Sequence, residues 1–229
     1  MAIAQRPRVS RRDLLRIFGE DRLVAVIRTA TAEQADMAAR AMAAAGVRLV
    51  EITLTVPDAF ELISALARDE ALADAGIVIG AGTVLSGAEA EESLLAGARF
   101  LVSPAFIPDM ITAAKAHDAM TMPGTMTPTE MVAAANAGAD FIKVYPLATI
   151  GGPGFITNVR RALQRLPLVA TGNVELDEIP AYLAAGVVGF GIGGPLVRPD
   201  LLDRGDRDGA VANAKRFLAA TRTAAAPKT

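Results

Sequence analysis

The chain is short of the residues on which several classes of protein depend. It has 229 residues, no cysteine and a single histidine, His117. A disulfide framework is therefore excluded, and so is a zinc site built from Cys and His ligands. Any metal ion would have to be held by carboxylates.

Strong charge of one sign and clustered aromatic side chains are also missing. The formal net charge is -2 at pH 7, which does not suggest a nucleic-acid groove or an anionic membrane surface as a partner. The two Tyr and eight Phe form no stacking platform for bases. No apolar run reaches the ~20 residues that a membrane-spanning helix needs. We therefore expect neither nucleic acid nor a membrane as a partner.

The N-terminal stretch, MAIAQRPRVSRRDLL, is basic but lacks the apolar block of a secretory signal. Its four arginines are compatible with an organelle-targeting segment, but a solvated tail leading into a helix is the simpler interpretation. The cytoplasm is the expected location.

What the chain does contain is a regular alternation of short apolar runs and Ala-rich stretches. Hydrophobic residues make up 52% and charged residues 21%, which is typical of a globular protein. The apolar runs are rich in Val and Ile, as strands buried on both faces are. The eight runs are LVAVIR (23–28), RLVEITL (48–54), IVIGAGT (77–83), FLVS (100–103), AMTMPG (119–124), DFIKVY (140–145), LVATG (168–172) and VVGFGIG (187–193).

Helix signals fill the segments between these runs. Hydroxyl residues that can cap a helix N-terminus, Thr31, Ser86 and Thr127, precede Ala-rich stretches. Ala-Gly-Ala or Ala-Gly-Val then ends a helix and leads into a strand at four places. The glycines at these four places are Gly46, Gly97, Gly138 and Gly186.

Eight alternating βα units predict an α/β fold, namely a (β/α)8 TIM barrel with a parallel eight-stranded sheet. Further helices are predicted over 10–20, before the first strand, and over 206–222. We expect residues 1–229 to form a single domain, with flexible tails at 1–9 and 223–229. The alternative is an open doubly wound sheet, which would want a GxGxxG turn after the first strand, and that strand is followed by no glycine.

Charged residues interrupt three of the strands on the face that points into the barrel. Side chains alternate along a strand, and the apolar neighbours of Glu51 suit contact with the outer helices, so Glu51 points inward. The same argument points Lys143 inward. Arg28 shares the interior face of the first strand and lies at its C-terminal end, which is the end where such barrels carry their active sites.

A lysine in this position has two reasons for a lowered pKa, namely burial in an apolar strand and the like charge of Arg28. A neutral amine attacks a carbonyl carbon, which is how a Schiff-base lysine is prepared. Glu51 is a candidate for proton transfer. The structural alternative is a buried Lys143–Glu51 ion pair, or a salt bridge with Arg28 at the strand end, because such charges are rarely buried unpaired.

Glycines end the last two predicted strands, in Thr171-Gly172-Asn173 and in Gly191-Ile192-Gly193-Gly194. Loops after strands seven and eight of such barrels often bind phosphate through backbone N–H groups, which glycine lets approach closely. The same glycines are also compatible with tight turns alone. Thr83, Ser103 and Thr125, at or just past strand ends, are candidates for binding a carboxylate or hydroxyl, or for capping a turn.

The chain resembles the family of 2-keto-3-deoxy-6-phosphogluconate (KDPG) and 4-hydroxy-2-oxoglutarate (KHG) aldolases, from about Arg22 to Ala220. The matching stretches are AVIR (25–28), EITLTVPDA (51–59), IGAGTV (79–84), FLVSPAF (100–106), MPGTMTPTE (122–130), FIKVYP (141–146), TGN (171–173) and IGG (192–194).

The resemblance implies a class I (Schiff-base) aldolase, a lyase that cleaves KDPG or a related 2-keto-3-deoxy or 4-hydroxy-2-oxo acid. The products would be pyruvate and an aldehyde, glyceraldehyde 3-phosphate or glyoxylate. It also implies a homotrimer, no metal or other cofactor, and a place in carbohydrate metabolism such as the Entner–Doudoroff pathway. The implied site residues are Lys143 as Schiff-base lysine, Glu51 as general acid/base through a water, Arg28, Thr83 and Thr171 around the pyruvate carboxylate, and Pro104 and Tyr145 as pocket walls.

Departures from the family pattern concern the phosphate site. The usual T-G-G is here Thr171-Gly172-Asn173, and the usual Gly-Ser is Gly193-Gly194, followed by Pro195, which lacks an N–H. Some members also carry Arg where Thr55 stands. A phosphate site formed by Gly172, Asn173, Gly193 and Gly194 is therefore expected to be weakened or altered.

The substrate stays open between the phosphorylated sugar acid, 4-hydroxy-2-oxoglutarate and an unphosphorylated keto-deoxy acid. Two other functions also stay open at this point. One is a non-catalytic barrel scaffold, and the other is a phosphate-binding barrel isomerase or synthase that forms no Schiff base.

Overall fold

The structure is a computed structural model that describes residues 9–223. Over this range, the strands form one parallel sheet. The strands are β1 Leu23–Ile27, β2 Leu49–Thr53, β3 Val78–Gly82, β4 Phe100–Val102, β5 Met120–Met122, β6 Gly124–Thr125, β7 Ile142–Val144, β8 Leu168–Gly172 and β9 Gly189–Ile192. Their order across the sheet is β5-β4-β3-β2-β1-β9-β8-β7-β6.

Helices follow the strands on the outside of this sheet. The N-terminal α1 and the C-terminal α12 match the two additional helices predicted over 10–20 and 206–222. The helices are α1 Arg11–Asp21, α2 Ala32–Ala44, α3 Ala59–Ala67, α4 Glu70–Asp74, α5 Gly87–Ala96, α6 Pro108–Ala116, α7 Pro128–Asn136, α8 Gly152–Ala162, α9 Ile179–Ala185, α10 Gly194–Val197, α11 Pro199–Asp203 and α12 Arg207–Arg222, with a 3-10 turn at Leu176–Glu178.

The fifth predicted strand is broken into β5 and β6. Pro123 lies between them, and because proline has no N–H the strand ladder cannot run through it. The segment still closes the ring, since β5 pairs with β4 and β6 pairs with β7. The backbone N–H of Lys143 also donates to the Pro123 carbonyl at 3.0 Å. The predicted parallel α/β barrel is confirmed, with one strand in two pieces.

The predicted capping residues begin the helices as expected. Thr31 accepts from the Gln34 N–H, and Ser86 accepts from the Glu89 N–H. Thr127 forms a reciprocal capping box with Glu130. The predicted flexible tails, 1–9 and 223–229, lie outside the described residues except for Val9 and Thr223. None of the helices described between residues 9 and 223 is long and apolar enough to cross a membrane.

The apolar side chains of the strands form two separate clusters, one on each face of the sheet. Ile27, Val50, Ile52, Ile142 and Val144 pack outward against the helices. The second cluster fills the lower interior of the barrel, where α1 closes the base. Its members include Val24, Leu49, Val78, Phe100, Met120 and Val169 from the strands and Leu14, Ile17 and Phe18 from α1.

Glycines on inward positions make room for the large rings of this interior. A Cβ added at Gly80 would lie 2.4 Å from the Phe100 ring, and one at Gly189 would lie 2.4 Å from the Phe18 ring. Such a separation is far below van der Waals contact. The bottom of the barrel is therefore packed with apolar side chains, which leaves the opposite end for polar ones.

A buried carboxylate links the first and last described helices to the base of the barrel through hydrogen bonds. Asp21, at the end of α1, is 0% exposed. It accepts hydrogen bonds from Arg48 at 2.7 and 2.8 Å and from Arg222 at 3.0 and 2.6 Å. The Thr221 hydroxyl donates to the Asp21 carbonyl at 2.8 Å. The cluster thus joins α1, the segment before β2 and the end of α12.

Candidate active site

Lys143 lies in the middle of β7 with its side chain directed into the barrel. Its neighbours Ile142 and Val144 contact the outer core, so alternation places Lys143 on the interior face. The residue is 6% exposed. Its Nζ lies 5.1 Å from the centroid of the Tyr145 ring, and that ring is at the surface. The amine therefore stands near the mouth, beside an aromatic wall.

Glu51 enters the same interior from β2 and is 2% exposed. Within residues 9–223, its carboxyl group has no hydrogen bond or ion-pair partner. Space for this group exists because Gly82, on the neighbouring strand β3, has no side chain. A Cβ at Gly82 would lie 1.7 Å from Glu51 Oε1.

The structural alternative, a buried Lys143–Glu51 ion pair or a salt bridge with Arg28, is not seen among the described residues. No ion pair there joins Lys143 to Glu51, or either of them to another residue, whereas eleven other pairs are formed elsewhere. A buried amine and a buried carboxyl group without hydrogen-bonded partners are costly to the fold. Such a cost is characteristic of a functional site.

Burial shifts the pKa values of both groups toward their neutral forms. It raises the pKa of the Glu51 carboxyl, although the charges of Lys143 and Arg28 act in the opposite direction. It lowers the pKa of the Lys143 amine, where Arg28 acts in the same direction and Glu51 opposes. The site therefore favours an amine that can attack a carbonyl and an acid that can donate a proton.

Arg28 lies just beyond β1, at the mouth of the barrel. Its Nη2 donates to the Thr83 hydroxyl and its Nη1 donates to the Thr55 hydroxyl, both at 3.0 Å. Thr83 has φ 60°, in the left-handed region that residues other than glycine seldom occupy. No carboxylate of the described residues forms an ion pair with Arg28. The guanidinium is thus held by neutral hydroxyls, and its charge is available to an anionic ligand.

Thr171 supplies a further polar group on β8. The residue is 5% exposed, and its Oγ1 has no hydrogen-bond partner in the described part of the chain. Gly191 lies opposite in the strand register, and a Cβ there would be 3.2 Å from Thr171 Oγ1. A buried hydroxyl without a partner is rare in folded proteins, and a ligand oxygen would satisfy it.

Pro104 follows β4, and its backbone lies against β6. A Cβ at Gly124 would be 2.3 Å from the Pro104 carbonyl group, so only glycine permits this approach. Gly124 is the register partner of Lys143. The loop that carries Pro104 is therefore held next to the lysine strand, as a pocket wall would be.

The glycine turns after β8 and β9 border a cavity of about 660 Å³. Asn173 and Gly194 line it, whereas Gly172, with φ 128°, ends β8 and Gly193 precedes α10. Arg198 also lines the cavity, but its guanidinium is engaged by Asp200 at 2.7 and 2.8 Å. Of the four residues predicted to bind phosphate, Asn173 and Gly194 thus line this cavity, whereas Gly172 and Gly193 shape the turns.

Gly82, Gly191 and Thr55 contribute to this site but are not among the site residues that the sequence predicts. The space at Gly82 and Gly191 follows from the same strand alternation that placed Glu51, so the signal was present. The contact between Arg28 and Thr55 depends on the path of a long side chain and has no sequence signal. Among the described residues, no three His, Asp or Glu side chains are grouped as metal ligands.

Comparison of the sequence with those of known proteins gives matches to aldolases. The family model for KDPG and KHG aldolases matches residues 15–212. A probable 2-dehydro-3-deoxy-6-phosphogalactonate aldolase of Rhizobium meliloti is 38% identical over 83% of this chain and 88% of its own length. The KHG/KDPG aldolase of Escherichia coli is 32% identical over 81% of this chain and 85% of its own length.

Solved structures show the same likeness in three dimensions. The 2-keto-3-deoxy-6-phosphogluconate aldolase of Zymomonas mobilis superposes with a TM-score of 0.77 at 26% identity. The superposition covers 92% of this chain and 98% of that one.

Proposed function

This chain belongs to the KDPG and KHG aldolase family and is thus a lyase, and we propose that it cleaves a 2-keto-3-deoxy sugar acid through a Schiff base on Lys143. The products are pyruvate and an aldehyde. Glu51 transfers the protons, and the hydroxyls and guanidinium at the barrel mouth bind the carboxylate of the substrate.

One observation carries this proposal. Lys143, 6% exposed, and Glu51, 2% exposed, enter the same barrel interior, and neither has an ion-pair partner among residues 9–223. Burial lowers the pKa of the amine and so favours its neutral form, which is the form that attacks a ketone. Neither the scaffold nor the isomerase alternative needs a neutral amine in this position.

The proposed reaction uses the neutral form of Lys143 and the protonated form of Glu51, the forms that burial favours. The Lys143 amine attacks the C2 ketone, and the protonated Glu51 donates the proton with which the hydroxyl of the carbinolamine leaves as water. The iminium then accepts electrons. Glu51, now a carboxylate, takes the C4 hydroxyl proton through a water molecule, the C3–C4 bond breaks, and its electron pair forms the enamine. Protonation of the enamine at C3 and hydrolysis release pyruvate and restore the amine.

The carboxylate of the substrate is assigned to a group of donors that have N–H or O–H protons without an acceptor among the described residues. Arg28 has no ion-pair partner among the described residues, Thr83 borders it, and Thr171 Oγ1 is buried without a partner. An ionised carboxylate accepts hydrogen bonds and donates none, so it complements this group. Pro104 and Tyr145 are proposed as the walls beside the lysine.

The sugar acid is proposed from the relatives. The Rhizobium meliloti relative is named for the phosphogalactonate and the Escherichia coli relative for KHG and KDPG. The distal end of the substrate would approach the turns that carry Asn173 and Gly194. The 660 Å³ cavity that these two residues line extends to α12, and none of the residues proposed for catalysis lines it. A substrate panel should therefore compare both 6-phospho sugar acids, their unphosphorylated forms and 4-hydroxy-2-oxoglutarate by kcat/KM.

Trapping with borohydride tests the Schiff base directly. Incubation with pyruvate and borohydride should add one reduced pyruvate to the intact protein, and peptide mapping should locate it at Lys143. Lys143→Ala should remove both the adduct and the turnover while the circular dichroism spectrum stays unchanged. Lys215→Ala, an exposed lysine on α12, is the matched control and should keep both. An unmodified wild-type chain would refute the proposal.

We also propose a homotrimer. Several apolar side chains are exposed on one chain, among them Leu85 at 54%, Leu95 at 75% and Val132 at 39%. Exposed apolar side chains mark an interface where they adjoin one another, and these residues are the ones we propose for the contact between chains. Light scattering should give three times the chain mass of 23.7 kDa, and a mass equal to one chain would refute the trimer.

A further inference from the structure

A hydrogen-bonded line of two threonine hydroxyls, those of Thr53 and Thr55, connects the Ile27 carbonyl to the guanidinium of Arg28. The Thr53 hydroxyl donates to the Ile27 carbonyl at 3.0 Å. Thr53 Oγ1 and Thr55 Oγ1 lie 2.9 Å apart, and Thr55 Oγ1 accepts from Arg28 Nη1 at 3.0 Å. Thr53 is 0% exposed, so its end of the line is fixed inside the protein.

The protons in this line can be assigned by counting. A threonine hydroxyl has one proton, and Thr53 uses its own on the Ile27 carbonyl. The bond between the two hydroxyls must therefore use the Thr55 proton. Thr55 then acts toward Arg28 as an acceptor only, and it has no proton left for a ligand.

Thr83 differs from Thr55 in this respect. It accepts from Arg28 Nη2, but its own proton has no acceptor among the described residues. Two of the five N–H groups of Arg28 are used by these threonines, which leaves three for a ligand. Thr83 can therefore touch a bound anion, whereas Thr55 can act only through Arg28.

We infer that Thr55, anchored by Thr53 on the Ile27 carbonyl, is a positioning residue that aims the Arg28 guanidinium at the carboxylate of the substrate. This inference rests on the proposed function. A long arginine side chain at an exposed position loses conformational freedom when it binds. Two fixed acceptors hold it in place beforehand, so less of that freedom is lost when the substrate arrives.

The experiment compares variants by trapping with pyruvate. Thr55→Val keeps the shape of the side chain and removes the acceptor. The pyruvate concentration that gives half-maximal adduct on Lys143 should rise about tenfold, the upper end of the effect of immobilising one long side chain on binding. Thr55→Ser restores the hydroxyl and should lie within about twofold of the wild type. Thr112→Val, the same change on the exposed face of α6, should have no effect.

A pH profile separates positioning from a merely structural role. Arg28 lowers the pKa of Lys143, so a guanidinium released from Thr55 should let the midpoint of trapping move to higher pH. Thr55→Ser should keep the wild-type midpoint. A small loss of stability in Thr55→Val would not shift this midpoint.

The outcomes distinguish this inference from the proposed function. A wild-type chain that forms no adduct overturns both, because there is then no bound carboxylate. A wild-type chain that traps pyruvate, together with a Thr55→Val variant of unchanged half-saturation and unchanged midpoint, overturns the inference alone. Equal losses in Thr55→Val and Thr55→Ser would also overturn it, since the hydroxyl would then not be the group that matters.

Discussion

Gly82 and Glu51 fit together so closely that a methyl group at the glycine would occupy the place of the carboxyl oxygen, 1.7 Å from Oε1. We expect Gly82→Ala to leave the barrel folded and to displace Glu51. A misplaced catalytic group costs about 100-fold in kcat/KM. The matched control is Gly154→Ala, where a Cβ would meet nothing within 4 Å. Equal kcat/KM in the two variants would contradict the role given to this space.

Glu51→Gln tests the proton transfer itself. The amide has the same shape as the carboxyl group but cannot take up the C4 hydroxyl proton. Turnover should fall by about 10²–10⁴-fold, the usual contribution of general acid–base catalysis. Glu92→Gln, on the exposed side of α5, is the control. A wild-type rate in Glu51→Gln would remove Glu51 from the mechanism.

Lys143→Met should abolish catalysis and stabilise the fold. The pKa of Lys143 is lowered from 10.5 in the folded chain, so the unfolded chain binds the proton more tightly at neutral pH. The contribution of Lys143 to the free energy of unfolding therefore increases as pH rises from the lowered pKa toward 10.5. At neutral pH the lysine destabilises the fold.

The gain at pH 7 should be about 1 kcal/mol in the free energy of unfolding, measured by urea denaturation. The gain should shrink at alkaline pH, where the unfolded lysine also loses its proton. Lys215→Met, at an exposed position, should show neither effect. A Lys143→Met variant less stable than the wild type at pH 7 would contradict the neutral amine.

Asp21→Asn should destabilise the protein strongly without touching the site. Asp21 is fully buried and binds both Arg48 and Arg222, so its replacement leaves Arg222 without this carboxylate and Arg48 with Glu20 alone. Breaking a fully buried pair costs about 3–5 kcal/mol, but these arginine side chains are 23% and 47% exposed, so we expect a loss of about 2 kcal/mol. Asp36→Asn breaks a partly exposed pair with Arg40 and should cost about 0.5 kcal/mol. Similar urea midpoints for the two variants would contradict this assignment.

Gly194→Ser tests the substrate end of the site. A Cβ at Gly194 meets nothing within 4 Å, so the new hydroxyl fits beside Asn173 at the cavity. It would supply a hydrogen-bond donor to a phosphate. The kcat/KM for a phosphorylated sugar acid should rise about tenfold relative to the unphosphorylated acid, as one hydrogen bond to a charged group allows. An unchanged ratio would place the phosphate elsewhere.

Much of this architecture could be predicted from the alternation of the sequence alone. Period-two alternation alone predicts that Glu51 and Lys143 face the interior, because their apolar neighbours suit contact with the helices. The break at Pro123 was not predicted, since a proline at the end of an apolar run is compatible with a strand that simply stops there. Only the pairing of both halves shows that the strand continues.

The finer geometry depends on directions that a sequence does not encode. Glu51 is paired in register with Gly80, yet its carboxyl group leans along the strand toward Gly82. Arg28 crosses from the end of β1 to threonines that follow β2 and β3. These contacts follow from side-chain rotamers and strand stagger, which are set by the packed barrel.

The closed base of the barrel has a consequence for the order of events in catalysis. Leu14, Ile17 and Phe18 close that end of the described barrel, so Lys143 and Glu51 are approached from the mouth. Substrate and products therefore both pass through the mouth of the barrel. In the proposed reaction the aldehyde leaves through the mouth first, because the three-carbon fragment is still covalently attached to Lys143. In the synthetic direction, pyruvate must be loaded before the aldehyde can follow.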